Sequence, residues 1–298
     1  MKNVEALTCS LPNGEEIFYR SYGEGDETFL LLHGNLSSSL FMEPFFPYLK
    51  GCRIIAPDMR GYGDSSYRGR IDSLLDLAKD LSMFCDELKL ASIFAGGWST
   101  GGAVSLELAA LRPDLVKGIV LISSVSCQGF PIPPKDENGF PIPGGVYPDR
   151  QSFNQDPLVS LIGNSLMNRD YATLRQIWDS MIFTKYRPSD EEYAAYLDAM
   201  CKQRSNNDAY WALTQINMTD EDNERAKGTG AIGRVNCPVL AFHGDEDLVL
   251  EMSQAEENKA YLGDKMELIV LENCSHASTF DYPEVISEKI ISFFQEHA

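Results

Sequence analysis

The stretch Phe94-Ala95-Gly96-Gly97-Trp98-Ser99-Thr100-Gly101-Gly102-Ala103, reading FAGGWSTGGA, decides the fold. Four glycines around one serine are compatible with two kinds of structure. One is a loop whose backbone amides cradle a phosphate, and the other is a sharp turn that exposes the Ser99 hydroxyl. Each requires its own spacing of glycines.

The spacing in this stretch excludes the phosphate loops. A P-loop has the pattern G-x-x-x-x-G-K-[ST], and a dinucleotide fingerprint has G-x-G-x-x-G after the first strand of a βαβ unit. The stretch has instead G-x-S-x-G, as residues 97–101, between an apolar run and a segment of helical periodicity. A strand that turns at once into a helix needs glycines on both sides of the turn, so Ser99 is predicted at the tip of a strand-turn-helix. The Thr100 amide, at the helix start, then faces the same point as a donor to a developing oxyanion.

Apolar runs and helical segments alternate on both sides of this turn. Short runs that are apolar on both faces are typical of buried parallel strands, and spacings of three and four are typical of the helices between them. An Asn13-Gly14 turn predicts a β-hairpin near residues 4 to 22. The other predicted strands are 29–34, 52–58, 91–97, 117–123, 237–244 and 266–272, and the predicted crossover helices are 72–88, 100–111, 252–262 and 282–296.

The alternation is interrupted once, between residues 127 and 234. Within the interruption GFPIP occurs twice, at 129–133 and 139–143, and the two copies are expected to form an irregular hairpin. Amphipathic helices follow from about 156 to 218. We therefore predict an α/β protein with a mostly parallel, doubly wound central sheet of about eight strands and a mainly helical cap. The core domain is residues 1–126 and 235–298, and the cap domain is 127–234.

A serine hydroxyl needs a base oriented by an acid to act as a nucleophile. Of the four histidines, His33 and His243 end strands and are each followed by glycine, which favours a supporting role, and His297 lies at the C-terminus. His276 lies between the last predicted strand and the last helix, at the sheet edge where Ser99 is expected. The acid is sought in Asp245-Glu246-Asp247, which follows another strand at that edge, and we select Asp247.

Four motifs in order make the chain resemble the α/β-hydrolase family, apart from the cap. They are His33-Gly34-Asn35, the D-x-R-G-x-G-x-S pattern of residues 58–65, the serine turn, and Gly244-Asp245-Glu246-Asp247 with His276 downstream. In that family the acid follows the glycine by three positions, which supports Asp247. The resemblance also implies that Asn35 supplies the second oxyanion amide beside Thr100.

The resemblance implies a serine hydrolase that cleaves an ester or lactone without metal or cofactor. His-Gly-Asn is the form found in haloalkane dehalogenases, but these and most epoxide hydrolases of the fold carry aspartate where this chain has Ser99. C–C bond hydrolases, perhydrolases, lyases and non-catalytic receptors share the fold and stay open as alternatives. Trp98, Phe130 and Trp178 are expected to bind an apolar or aromatic small molecule.

Composition and charge limit the classes of molecule that this chain is expected to bind. The chain has 298 residues and a net charge of −19, which argues against a nucleic-acid partner, because binding nucleic acid relies on a basic face. Seven scattered cysteines form no C-x-x-C pair and are expected to be reduced. No signal peptide and no apolar run of membrane-spanning length is evident, so a cytoplasmic protein without membrane partners is expected. The oligomeric state is left open.

Overall fold

A computed structural model describes residues 4–298, and within them eight strands form one sheet. The strands are β1 (Glu5–Ser10), β2 (Glu16–Tyr22), β3 (Glu27–Leu32), β4 (Cys52–Pro57), β5 (Ile93–Trp98), β6 (Val116–Ile122), β7 (Val239–Gly244) and β8 (Met266–Leu271). Their order across the sheet is β1-β2-β4-β3-β5-β6-β7-β8. The first two strands pair antiparallel in the expected hairpin, β2 is antiparallel to β4, and all further pairs are parallel.

The strand order determines where a site can form. The chain passes from β3 outward to β4 and returns to β5 on the other side of β3. At such a switch point the loops after β3 and β5 separate in opposite directions and leave a crevice at the carboxyl ends of the strands. The loop after β3 carries Asn35, and the loop after β5 carries Ser99.

Helices cover both faces of the sheet. On one face lie α1 (Leu74–Glu87), α2 (Thr100–Leu111) and α8 (Met252–Leu262), and on the other lie α10 (Pro283–Glu296) and the 3₁₀ helix Ser39–Tyr48. The rings of Phe94 on β5 and Phe294 on α10 stack at 4.1 Å between centroids, which fixes α10 on the central strands. The predicted bounds of α2 and α8 coincide with those observed. The predicted doubly wound fold is confirmed.

Five α-helices and the 3₁₀ helix Ala231–Arg234 lie between β6 and β7 in the described part of the chain. The α-helices are α3 (Arg150–Phe153), α4 (Pro157–Met167), α5 (Tyr171–Met181), α6 (Asp190–Met200) and α7 (Asn206–Gln215). We call residues 127–234 the insertion. The expected hairpin of the GFPIP repeat is present, closed by an antiparallel bridge between Lys135 and Pro141. The short helix α9 (Ser278–Asp281) precedes α10. None of the helices in residues 4–298 is long and apolar enough to cross a membrane.

Candidate active site

Ser99 occupies the tip of the turn between β5 and α2. Its backbone has φ +55° and ψ −118°, a region that side-chain-bearing residues rarely adopt and that costs about 1–3 kcal/mol. A Cβ on Gly97 would lie 2.6 Å from the Leu32 carbonyl oxygen, and a Cβ on Gly101 would lie 2.7 Å from the His33 carbonyl oxygen. Both glycines are therefore needed for the turn to pack against the end of β3.

His276 and Asp247 form a buried hydrogen-bonded pair. His276 Nδ1 lies 2.7 Å from Asp247 Oδ2, and the two side chains are 2% and 1% exposed. Asp247 Oδ1 accepts the backbone N–H groups of Val249 at 2.8 Å and Leu250 at 2.9 Å. Burial alone would raise the pKa of Asp247, but the charge and hydrogen bond of His276 and the two backbone donors outweigh it and lower the pKa. The carboxylate therefore stays ionised and holds the Nδ1 proton, which leaves Nε2 unprotonated when the ring is neutral.

His243 and Trp98 hold the backbone on either side of this pair through hydrogen bonds to carbonyl oxygens. His243 Nε2 lies 2.9 Å from the Leu250 carbonyl oxygen and so fixes the turn that carries Asp247. Burial lowers the pKa of His243, which keeps this ring neutral. Trp98 Nε1 donates to the His276 carbonyl oxygen at 2.8 Å, and the Trp98 and His276 rings lie 5.2 Å apart.

Two backbone N–H groups of residues that line the cavity have no hydrogen-bond partner among the described residues. The amides of Asn35 and Thr100 donate no hydrogen bond to residues 4–298. His33 holds the Asn35 loop, because its Nε2 accepts the Met59 N–H at 3.0 Å and its Nδ1 lies 2.7 Å from the Gly34 carbonyl oxygen. The supporting role expected for His33 agrees with these contacts.

The Asn35 side chain is held by two residues that the sequence did not single out. Its Oδ1 accepts hydrogen bonds from Tyr62 Oη at 3.0 Å and from Gln203 Nε2 at 2.9 Å. Gln203 Oε1 in turn accepts the Leu36 N–H at 3.1 Å. The insertion, through Gln203, thus fixes the loop that carries one of the two free amides.

One cavity of about 150 Å³ collects these groups. Ser99, His276, Asn35 and Thr100 line it, and Asp247 lies behind His276, outside the lining. No hydrogen bond joins the Ser99 hydroxyl to His276 among the described residues, although the two side chains face the same space. Apart from Tyr210 the remaining lining is apolar, and it includes all three residues expected to bind substrate: Trp98, Phe130 and Trp178.

The insertion supplies much of the apolar wall. Trp178 packs edge-on against Trp98 with centroids 5.9 Å apart. Of the insertion methionines, Met181 lines the cavity, whereas Met167 is 75% exposed and lies outside it. Sequence reasoning missed further lining residues. For those on helices, apolar spacing was the only signal: Leu158, Ile162, Ile177 and Leu213. Val249 and Leu250 lie in the loop after β7 and left no such signal.

Asp281 ties the insertion to the loop that carries His276. Asp281 Oδ2 accepts the backbone N–H of Ser275 at 2.8 Å and its hydroxyl at 2.5 Å, and Oδ1 accepts the Tyr186 N–H at 3.0 Å. The Ser275 hydroxyl also lies 3.1 Å from the Ile182 carbonyl oxygen. We call these contacts the Asp281 clamp. They make residues 182–186 and the His276 loop one hydrogen-bonded unit.

Residues 182–186 also contact the loop that carries Asp247, through Lys185. Lys185 Nζ lies 2.6 Å from Asn273 Oδ1 and 2.6 Å from Glu246 Oε2, the residue before Asp247. Within residues 4–298, no group of three His, Cys, Asp or Glu side chains is arranged to hold a metal ion. The polar side chains that line the cavity are those of Asn35, Ser99, Thr100, Tyr210 and His276.

The chain matches the family model described as alpha/beta hydrolase fold over residues 27–283. It is 25% identical over 280 residues to a dihydrolipoyllysine-residue acetyltransferase component of the acetoin cleaving system of Pseudomonas putida, covering 92% of this chain and 65% of that protein. It is 27% identical over 325 residues to epoxide hydrolase 3 of Siraitia grosvenorii, covering 99% of this chain and 100% of the relative.

A solved structure with the same architecture is the esterase EaEST of Exiguobacterium antarcticum, with a TM-score of 0.74 and 19% identity, covering 98% of this chain and 100% of the esterase. At this identity the likeness concerns the fold. The family match spans most of the chain, including the strands and turns that carry Ser99, Asp247 and His276. The chain belongs to the α/β-hydrolase family.

Proposed function

We propose that the protein is a serine hydrolase that cleaves a carboxylic ester or lactone of a small apolar or aromatic molecule. One observation carries the proposal: a serine in a strained strand-turn-helix shares a cavity with a histidine that is hydrogen-bonded to a buried carboxylate. This combination is the one that converts a serine hydroxyl into a nucleophile. The epoxide hydrolase relative shares the fold, but a serine alkoxide is suited to attack at a carbonyl carbon and an acyl-enzyme intermediate.

Each group has a role in the proposed reaction. Ser99 Oγ attacks the carbonyl carbon while His276 Nε2 removes its proton, and Asp247 stabilises the imidazolium that forms. The oxyanion accepts hydrogen bonds from the N–H groups of Asn35, in the loop after β3, and of Thr100, at the start of α2 where the helix dipole favours negative charge. His276 then protonates the leaving alcohol, and water hydrolyses the acyl-enzyme by the same route. The hydroxyl and imidazole need approach each other only in the substrate complex, as is common for catalytic hydrogen bonds.

The cavity supports a small apolar substrate. A volume of about 150 Å³ accommodates a group of about the size of benzene or a short acyl chain. Its walls are largely indole, phenyl and aliphatic side chains, and the exceptions are the groups assigned to catalysis and the phenol of Tyr210. Sugars and peptides would leave several polar groups without partners there, at a cost for each one.

The test compares Ser99→Ala with Ser105→Ala on p-nitrophenyl acetate and p-nitrophenyl butyrate. Ser105 is a buried serine on the same helix, and its hydroxyl donates to the Gly101 carbonyl oxygen at 2.8 Å, away from the cavity. We expect Ser99→Ala to lower kcat by roughly 10³-fold or more with an unchanged melting temperature, and Ser105→Ala to retain most activity. Full activity in Ser99→Ala, or absence of ester and lactone hydrolysis by the wild type, would overturn the proposal.

A further inference from the structure

A second cavity lies within the insertion. It has a volume of about 260 Å³ and is bounded by the two copies of the GFPIP repeat, the segment that follows them, and α7. Phe130 and Leu213 line the catalytic cavity, whereas the next residues, Pro131 and Thr214, line this one. The two cavities are thus neighbours separated by a thin wall. We call the second one the repeat cavity.

The walls of the repeat cavity are aromatic and proline-rich. Phe153 lines the cavity, with its ring 5.4 Å from that of Tyr147 and 5.4 Å from that of Trp211, both edge-on. The repeat provides the facing wall, which consists of Pro131, Ile132, Pro133, Ile142 and Pro143. These side chains offer flat and rigid apolar surfaces, which suit a ring or a short hydrocarbon chain.

One cation reaches this apolar space. Arg225 lines the cavity, and its Nη2 donates to the Gln128 carbonyl oxygen at 2.9 Å, which anchors the guanidinium. Its Nε is buried and has no hydrogen-bond partner among the described residues. No carboxylate of residues 4–298 lies within ion-pair distance of Arg225, in a chain with 44 acidic and 25 basic residues. Glu224 also lines the cavity, with its side chain exposed to solvent.

We propose that the repeat cavity binds a small apolar carboxylate anion. The carboxylate pairs with the Arg225 guanidinium, whose planar fork of donors matches the two oxygens of a carboxylate. The hydrocarbon part packs on Trp211 and the prolines of the repeat. This assignment does not depend on catalysis at Ser99, because Arg225 and Trp211 lie outside the catalytic cavity.

The charges of Arg225 and Glu224 determine whether each substitution should weaken or strengthen binding of the anion. Arg225 attracts the anion at contact distance in a partly desolvated site, where a charged hydrogen bond is strongest. Glu224 repels it from a solvated position, so its effect is smaller. Lys227 is exposed, lies two residues beyond Arg225, and does not line the cavity, which makes it a matched control.

The test is calorimetric titration of the full-length protein with hexanoate, and with hexan-1-ol as the uncharged analogue. We expect saturable binding of hexanoate, at least roughly tenfold weaker in Arg225→Met, and partly retained in Arg225→Lys. Glu224→Gln should tighten binding about twofold, and Lys227→Met should leave it within twofold of the wild type. Hexan-1-ol should bind much more weakly than hexanoate.

Two results would overturn the proposal. The first is the absence of saturable hexanoate binding to the wild type at millimolar concentrations. The second is wild-type affinity in Arg225→Met, which would place the ligand elsewhere, including the catalytic cavity. If Arg225→Met has a changed melting temperature, the other two variants test the proposal in the same titration. Hexanoate affinity should fall in Arg225→Lys and rise in Glu224→Gln, and affinities that do not move in these directions would also overturn the proposal. Ester hydrolysis by Ser99→Ala is a separate readout, so failure of this proposal and failure of the proposed function are distinguishable.

Discussion

Replacement of Asp247 by asparagine should disable the reaction by turning the histidine to the wrong tautomer. Asp247 Oδ1 accepts two backbone N–H groups, from Val249 at 2.8 Å and Leu250 at 2.9 Å, so the oxygen of the asparagine amide will remain there. The NH₂ group must then face His276 Nδ1, now 2.7 Å from Oδ2. His276 can accept that hydrogen bond only with its proton on Nε2, where it can no longer receive the serine proton.

The expected loss is about 10³- to 10⁴-fold in kcat, equivalent to about 4–5.5 kcal/mol of transition-state stabilisation. The assay is hydrolysis of p-nitrophenyl acetate at pH 7, with protein folding checked by circular dichroism. Asp245→Asn is the control, because Asp245 shares the turn but its Oδ1 accepts only the Cys274 N–H, at 3.3 Å. It should retain activity within about tenfold. A loss of activity confined to Asp245→Asn would refute the assignment of the acid.

Four further outcomes follow from the structure. Asp281→Asn should weaken the Asp281 clamp and lower kcat roughly tenfold with little change in KM, measured by steady-state kinetics. Gly97→Ala should lower the melting temperature by several degrees or prevent folding, because its Cβ meets a main-chain oxygen at 2.6 Å, whereas Gly233→Ala, with open space around it, should be neutral. Because the pKa of Asp247 is lowered in the folded state, its ionised form stabilises the fold at pH values above the ordinary carboxyl pKa. The difference in unfolding free energy between wild type and Asp247→Asn, measured by urea denaturation, should therefore shrink as the pH falls below about 4. Met181→Ala should open the cavity and raise kcat/KM for p-nitrophenyl octanoate relative to the acetate by roughly fivefold.

Local patterns in the sequence were sufficient to predict the sheet and most of its helices. Buried parallel strands are apolar on both faces, and α2 begins directly after a glycine-flanked serine, so both leave a signal within ten residues. His276 is selected as the candidate base because the chain has four histidines and because its position after a strand places it at the edge that also carries Ser99. These inferences use chain order and topology alone.

The contacts that complete the candidate site join distant parts of the chain, and so they leave no local signal. Gln203 and Asn35 are 168 positions apart, and their hydrogen bond depends on how the insertion lies on the core. The same holds for Asp281 and Tyr186. Met167 and Met181 each end an amphipathic helix and look equivalent in sequence, but only Met181 lines the cavity in the described part of the chain. Cavity volume depends on all these placements together and could be read only from the structure.

The most direct test of the central claim is covalent labelling of the wild type by a fluorophosphonate, located by mass spectrometry of the digested protein. The account predicts one adduct, on Ser99, with loss of ester hydrolysis in proportion to labelling and no adduct in Ser99→Ala. Labelling of another serine, or full hydrolysis by protein that carries the adduct on Ser99, would contradict it.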